Sequence, residues 1–282
     1  MDFPSESMLN DSDFAPLTRS QITRALIGLG VVEGETLMVH VRLSALGWVV
    51  GGIDTVVLSL RDALGSDGTL LAFCGWDDSP YHVSFWPPHW QKAYEEIPAF
   101  DPKVSSARRD FGRFPERLRT WPGALRSTHP EVSFAALGRH AANLVTGTDD
   151  DNPWGAGGPL GRLVDLGGRV LLLGAPLKTL TLCHHAEAVA DVAGKRYHSY
   201  RMPVRTDAGT IWRDYCTLDT FYGALPYWER PDLPIDSAVG TLALQAVQAG
   251  AGREGNIGAA TAWLFDSRAT IQAVVAWIER HF

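Results

Sequence analysis

Residues 181–187 read TLCHHAE, and they bring an imidazole and a carboxylate within one helical turn. A histidine whose acidic neighbour holds one ring nitrogen can take a proton at the other from an attacking amine or hydroxyl. Side chains at i and i+3 share a helix face, so His184, Glu187 and Asp191 are expected to project together. His185 is turned about 100° away. A structural histidine with an incidental acid is the alternative reading. Zinc is a third, but HHAE lacks the i, i+4 histidine pair of a zinc helix. Cys183 adjoins His184, yet consecutive helix positions diverge, which disfavours a thiol acting with that imidazole.

Other residues suit ligands. In Arg42–Gly52 (RLSALGWVVGG), Gly47, Gly51 and Gly52 let backbone N–H groups approach an anion ahead of a helix from Asp54. A plain connection is the competing reading. Asp77, Asp78, Glu95, Glu96 and Asp101 are interleaved with Trp76, Tyr81 and Trp90. Carboxylates and aromatic faces together suit a polyamine, although Glu95 and Glu96 also read as a solvated acidic loop. His129 precedes a strand and is a candidate for a cleft wall. His40 lies inside a strand and reads as a hydrogen-bonded core residue. Asp214 and Asp219, in the segment WRDYCTLD, are candidates to return to the helix histidine.

The elements that must position these residues follow from pattern. The apolar run Val170–Leu173 reads as a buried parallel strand ended by Gly174-Ala175-Pro176, with Thr179 or Thr181 capping the histidine helix. Upstream, a helix through Leu29, a strand Thr36–Val41, a helix Asp54–Leu64 and a strand Thr69–Gly75 form a parallel crossover. Residues 76–128 are rich in Pro and aromatics and read as a functional loop insertion, with a short helix at Pro115–Arg119. A strand Val132–Ala136, short helices at Arg139–Val145 and Gly161–Leu166, and a hairpin Tyr197–Val204/Gly209–Asp214 follow. The chain closes with a helix Ser237–Ala249 after a Pro-rich loop, one strand within Asn256–Phe265, and a helix Ser267–His281 capped by Asp266. The expectation is a single α/β domain, 17–282, with a central mixed, largely parallel sheet flanked by helices and a long aromatic, Pro-rich insertion. Residues 1–16 read as a flexible lead-in.

The chain has 282 residues, 45% hydrophobic and 20% charged, with net charge −7. That balance argues against nucleic acid and is compatible with a cationic ligand. Three cysteines without a CxxC fit a reducing, cytoplasmic setting. The first residues resemble no secretory signal, and no apolar run reaches the ~18 residues of a membrane span.

Taken in order, LMVHVRLSALGWVVGG, GTLLAFCGWDDSPY, FDP at 100–102, STHPEVSFAALG, GGRVLLLGAPL, HHAEAVAD with KR at 195–196, and LFD…WIERHF resemble the aminoglycoside 3-N-acetyltransferase family. The resemblance runs from about Thr18 to Phe282. It implies acetyl transfer from acetyl-CoA, without a metal, to the 3-amine of a 2-deoxystreptamine ring, by a cytoplasmic monomer or homodimer. It places the general base on His184, its acid on Glu187, and a second acid on Asp219 or, alternatively, Asp214. Coenzyme A falls to Arg42, Leu43, Ser44, Ala45, Leu46, Gly47, Val49, Gly51 and Gly52, with Ser127. The antibiotic falls to Asp77, Asp78, Tyr81, Asp101 and His129. Val41-Arg42 and Gly158-Pro159 depart from the usual family residues.

The expected mechanism is direct transfer, with backbone N–H groups near the end of the central strand holding the oxyanion. Alternatives are acetylation of another small amine, a non-catalytic binder of cationic antibiotics, and a metal-dependent amidohydrolase.

Overall fold

The computed structural model describes residues 15–230 and 237–282. Residues 1–14 of the expected lead-in and residues 231–236 of the Pro-rich loop before Ser237 lie outside the described residues. Leu17 is already tied down: its N–H donates to Trp48 O and its carbonyl accepts from Val50 N–H.

Seven strands form one mixed sheet. They are β1 (Thr36–Val41), β2 (Thr69–Phe73), β3 (Leu125–Arg126), β4 (Phe134–Gly138), β5 (Arg169–Leu173), β8 (Gly252–Ile257) and β9 (Ala260–Asp266). The order is β3-β4-β2-β1-β5-β9-β8. Parallel pairing holds the centre, β2-β1-β5, while the flanking strands run antiparallel. The central strands are apolar on both faces because helices cover both. Leu37, Val39 and Val41 of β1 pack towards the helices α1 (Arg19–Leu29) and α2 (Gly52–Leu64). Met38 faces the layer containing α7 (Leu182–Val189), α8 (Ala238–Gln248) and α9 (Ser267–His281).

β6 (Tyr197–Thr206) and β7 (Gly209–Leu218) form a separate ten-rung hairpin, four residues longer on its second strand than the pattern suggested. The aromatic insertion docks on it. Phe100 N–H donates to Pro203 O, Arg205 N–H donates to Phe100 O, and Trp76, Tyr81 and Phe100 share a core with Tyr200, Met202 and Tyr215. Arg126 fastens the insertion from beneath, donating to the carbonyls of Gly75 and Ser105 with its guanidinium 4.9 Å from the Phe100 ring centre.

Several local expectations need correction. The segment around Asn256–Phe265 is a hairpin of two strands, turned at Gly258, whose φ of 61° suits glycine. The strand expected from Val132 starts at Phe134, because Val132 N–H turns to His129 Nδ1 at 2.9 Å. A short helix at Pro88–Ala93, α3, was not expected; Pro88 opens it at a first-turn position where its missing N–H costs nothing. The remaining α-helices among the described residues are α4 (Arg113–Arg119), α5 (Ala141–Val145) and α6 (Pro159–Asp165). Neither threonine caps α7: Thr179 Oγ1 donates to Pro176 O and Thr181 Oγ1 to Thr179 O. Ser237 and Asp266 do cap their helices, accepting from Gly240 N–H and Ala269 N–H.

Candidate active site

A cavity of about 1330 Å³ opens over the carboxyl ends of β1, β2 and β5, where open α/β sheets place ligands. Arg42 to Ser44 continue from β1, Phe73 ends β2, and Ala175 and Pro176 follow β5. Gly174 makes this convergence possible. Its φ is 69°, and a Cβ there would stand 2.8 Å from Ala45 Cβ.

His184 lies in the cavity wall, 16% exposed at its side chain. Its Nδ1 is 2.7 Å from Glu187 Oε2, and Glu187 is buried. The buried Tyr227 hydroxyl donates to the other carboxylate oxygen, Oε1, at 2.5 Å. Both oxygens of Glu187 are therefore engaged. An ionised carboxylate takes its hydrogen from Nδ1–H, which leaves Nε2 as the acceptor. Proximity to the carboxylate pushes the Tyr227 hydroxyl well above its ordinary pKa, after a larger push from burial. Tyr227 thus remains a donor.

His185 points elsewhere, as the helical spacing requires, and its Nδ1 is 2.8 Å from Trp154 O. The Trp154 ring lies 5.0 Å from the His184 ring, between centres. The second histidine of HHAE therefore fixes the loop whose indole packs on the first. Asp191 lies beyond the end of α7, and its N–H donates to Glu279 Oε1. Among the described residues, no three His, Cys, Asp or Glu side chains converge as a metal site. Cys183 is buried, and burial pushes its thiol well above the ordinary value.

Asp219 and Asp214 separate clearly. Asp219 is 9% exposed and accepts from Tyr222 N–H at 2.9 Å. It also contributes to the raised pKa of Tyr81, after burial. Asp214 is 87% exposed at its side chain, faces Arg201 at 3.6 Å, and is not in the cavity wall.

Of the cofactor candidates, Arg42, Leu43, Ser44, Gly47, Val49 and Gly52 line the cavity. Ala45, Leu46 and Gly51 shape the loop without lining it, and Leu46 is buried. The helix opens at Gly52, two residues before Asp54. Ser127 is buried away from the cavity, its Oγ accepting from Phe134 N–H. Gly174 N–H donates to Thr261 O, which removes it from the backbone donors expected for an oxyanion.

Of the acceptor candidates, Tyr81 alone lines the cavity. Asp77 is held by Arg109 through its N–H at 2.9 Å and Nε at 2.5 Å. Burial alone would raise the Asp77 carboxyl, but the Arg109 N–H and guanidinium outweigh it and hold it low. Asp78 is outside the wall, and Asp101 accepts from Lys103 N–H in a turn. His129 is 1% exposed and does not line the cavity.

The acidic residues in the wall are Asp110 and Glu131, which pattern did not single out. Glu131 is bound by Arg108 at 2.8 Å and accepts from Ser79 Oγ at 2.5 Å; burial raises its carboxyl despite those partners. His40 also lines the cavity, and its buried Nε2 has no hydrogen-bond partner, contrary to the expectation of a bonded core residue. No local sequence signal marks any of these three.

A histidine–carboxylate pair at a large cavity over parallel strand ends, with Arg42, Arg113 and Lys178 in the same wall, supplies a base and anionic-ligand anchors of the kind group transfer uses. The family model of aminoglycoside 3-N-acetyltransferases matches residues 38–279, and the chain belongs to that family. It is 48% identical to aminoglycoside N(3)-acetyltransferase VIII of Streptomyces fradiae over 94% of this chain and 92% of that protein. Its fold matches the crystal structure of aminoglycoside acetyltransferase AAC(3)-Xa with a TM-score of 0.91 at 46% identity, covering 98% of this chain and 96% of that one. AAC-IIIb, solved as a binary complex with CoASH, matches with a TM-score of 0.86 at 39% identity, covering 95% and 98%. Among the described residues, no helix is long and apolar enough to cross a membrane.

Proposed function

We propose that this protein transfers the acetyl group of acetyl-CoA to the 3-amino group of the 2-deoxystreptamine ring of aminoglycosides, with His184 as general base. The observation that carries the reading is the His184–Glu187 hydrogen bond at the wall of a cavity large enough for two substrates. Family membership and the CoASH complex of AAC-IIIb support the substrate pair. Arg42, Arg113 and Lys178 in the wall suit the phosphates of coenzyme A, and Asp110 suits an ammonium-rich acceptor.

The acceptor arrives as an ammonium and must lose a proton before its nitrogen can attack. Nε2 of His184 takes that proton, and Glu187 stabilises the imidazolium through Nδ1–H. The amine lone pair forms the C–N bond at the thioester carbonyl. Collapse of the tetrahedral intermediate breaks the C–S bond; the imidazolium protonates the departing thiolate, and the freed Nε2 takes the second proton from the nitrogen and passes it to solvent, so that the products are the neutral amide, CoASH and one proton. Asp219 acts beside Tyr81 in this reading, and Asp214 has no part.

Thiol release from acetyl-CoA, measured with gentamicin, tobramycin, kanamycin, neomycin and apramycin, tests the proposal. Drug-dependent release with one acetyl group gained at the 3-amine is expected. Release with none of them would move the substrate to another amine, or the protein to a binding role.

A further inference from the structure

A second hydrogen-bond chain reaches the cavity, and its direction is set at its inner end by Val132 N–H. Val132 N–H can only donate, so the His129 Nδ1 it meets at 2.9 Å is bare. Burial holds His129 neutral, its pKa lowered to about 3. A neutral imidazole without hydrogen on Nδ1 carries it on Nε2. Nε2 lies 3.4 Å from the Tyr200 hydroxyl, which therefore accepts. The Tyr200 hydrogen is free to point to Thr217 Oγ1 at 3.0 Å. Burial raises the Tyr200 pKa well beyond its usual range, so that hydrogen stays in place. Thr217 is itself 2% exposed and lines the cavity. One of its lone pairs accepts from Tyr200, and its own hydrogen is available to what the cavity brings.

We infer that Thr217 is a specificity residue: its hydroxyl donates to an oxygen atom of the acceptor — a hydroxyl, ring or glycosidic oxygen — and is set against an ammonium at that place. The inference rests on the proposed acetyl transfer to an aminoglycoside. Aminoglycosides display both ammonium donors and neutral oxygens, and acidic residues recognise only the first. A donor fixed by His129 and Tyr200 reads the second. The wall around it, with Tyr81, Phe221 and Glu131, is separate in the chain from the loop after β1 where the cofactor candidates lie.

The test is steady-state kinetics on Thr217→Val, Thr217→Ser and Tyr200→Phe with kanamycin as acceptor. Thr217→Val is expected to raise the acceptor KM about tenfold, the effect of one lost hydrogen bond of ~1.4 kcal/mol, with the acetyl-CoA KM unchanged. Thr217→Ser should restore it. Tyr200→Phe leaves the hydroxyl undirected and should raise the acceptor KM by a smaller factor. Because Thr217→Val also strands the Tyr200 hydroxyl, its Tm is measured alongside, and the serine variant separates loss of the donor from loss of fold. An acceptor KM within twofold of wild type in Thr217→Val overturns the inference, as does a rise confined to the acetyl-CoA KM. A wild-type enzyme that acetylates no aminoglycoside overturns the proposed function instead.

Discussion

His184 and His129 both belong to three-membered hydrogen-bond chains that meet one cavity, and their polarities are opposite. In the first, Tyr227 and His184 both give hydrogens to Glu187, so His184 keeps a bare Nε2. In the second, a backbone N–H fills Nδ1 of His129, so the ring donates onward through Tyr200 to Thr217. In the proposed mechanism the first chain ends at the cavity as a proton acceptor, and in the inferred recognition the second ends there as a donor. What holds Nδ1 decides what the opposite end of each chain can do. Exposure separates them too: His184 touches the cavity and His129 does not.

Removing either half of the first chain tests the contrast most severely. His184→Ala should lower kcat by about 10²–10⁴-fold, the usual loss of a general base, while CoA binding by calorimetry survives. Near-normal kcat would remove His184 from the chemistry. Glu187→Gln keeps the size but offers one acceptor oxygen to two donors. If Tyr227 takes it, the amide NH₂ faces Nδ1 and forces the hydrogen onto Nε2, the wrong nitrogen for a base. A loss of about 10²-fold in kcat is expected, charge-assisted hydrogen bonds being worth ~1.5–3 kcal/mol. Retained activity would mean the carboxylate only packs.

The two chains also differ in how far pattern could reach them. His184 and Glu187 are three residues apart on one helix, so periodicity alone pairs them. Tyr227 is forty residues from Glu187 and meets it only through tertiary packing. The second chain joins His129, Tyr200 and Thr217 across 71 and 17 residues, and no local spacing encodes that. The parallel centre of the sheet was legible because β5 carries a continuous apolar run, Val170–Leu173, and β1 is apolar but for Thr36 and His40. The hairpin Gly252–Ile257/Ala260–Asp266 was not, because its first strand, GREGNI, is polar and pairs at the sheet edge. Asp77 shows the same limit at the site: its sequence context suited an ammonium, but Arg109, thirty-two residues on, already occupies it.

Acid should expose the neutral state of the second chain. His129 has a folded pKa of about 3 and His40 of about 4, both lowered by burial from an ordinary value of about 6.5. As pH falls below 6.5 the unfolded chain takes up these protons and the folded chain does not. Stability is therefore full above that pH and declines towards pH 4. Each buried histidine is expected to cost about 2 kcal/mol at pH 5 relative to pH 7.5. Urea unfolding of the wild type and His129→Gln at both pH values isolates one of them. Equal pH dependence in the two proteins would mean that His129 titrates normally.

The finest contrast lies within the first chain, between a tyrosine that packs and one that tunes. Tyr227 gives its hydrogen to a buried carboxylate. Tyr227→Phe removes that hydrogen and little volume. The remaining negative charge on Glu187 then falls more heavily on His184 Nδ1–H and stabilises the imidazolium. Against that gain stands the lost hydrogen bond, so kcat is expected to change by less than about fivefold while Tm falls. A loss of kcat as large as that of Glu187→Gln would mean that Tyr227, and not the carboxylate alone, is needed to orient His184.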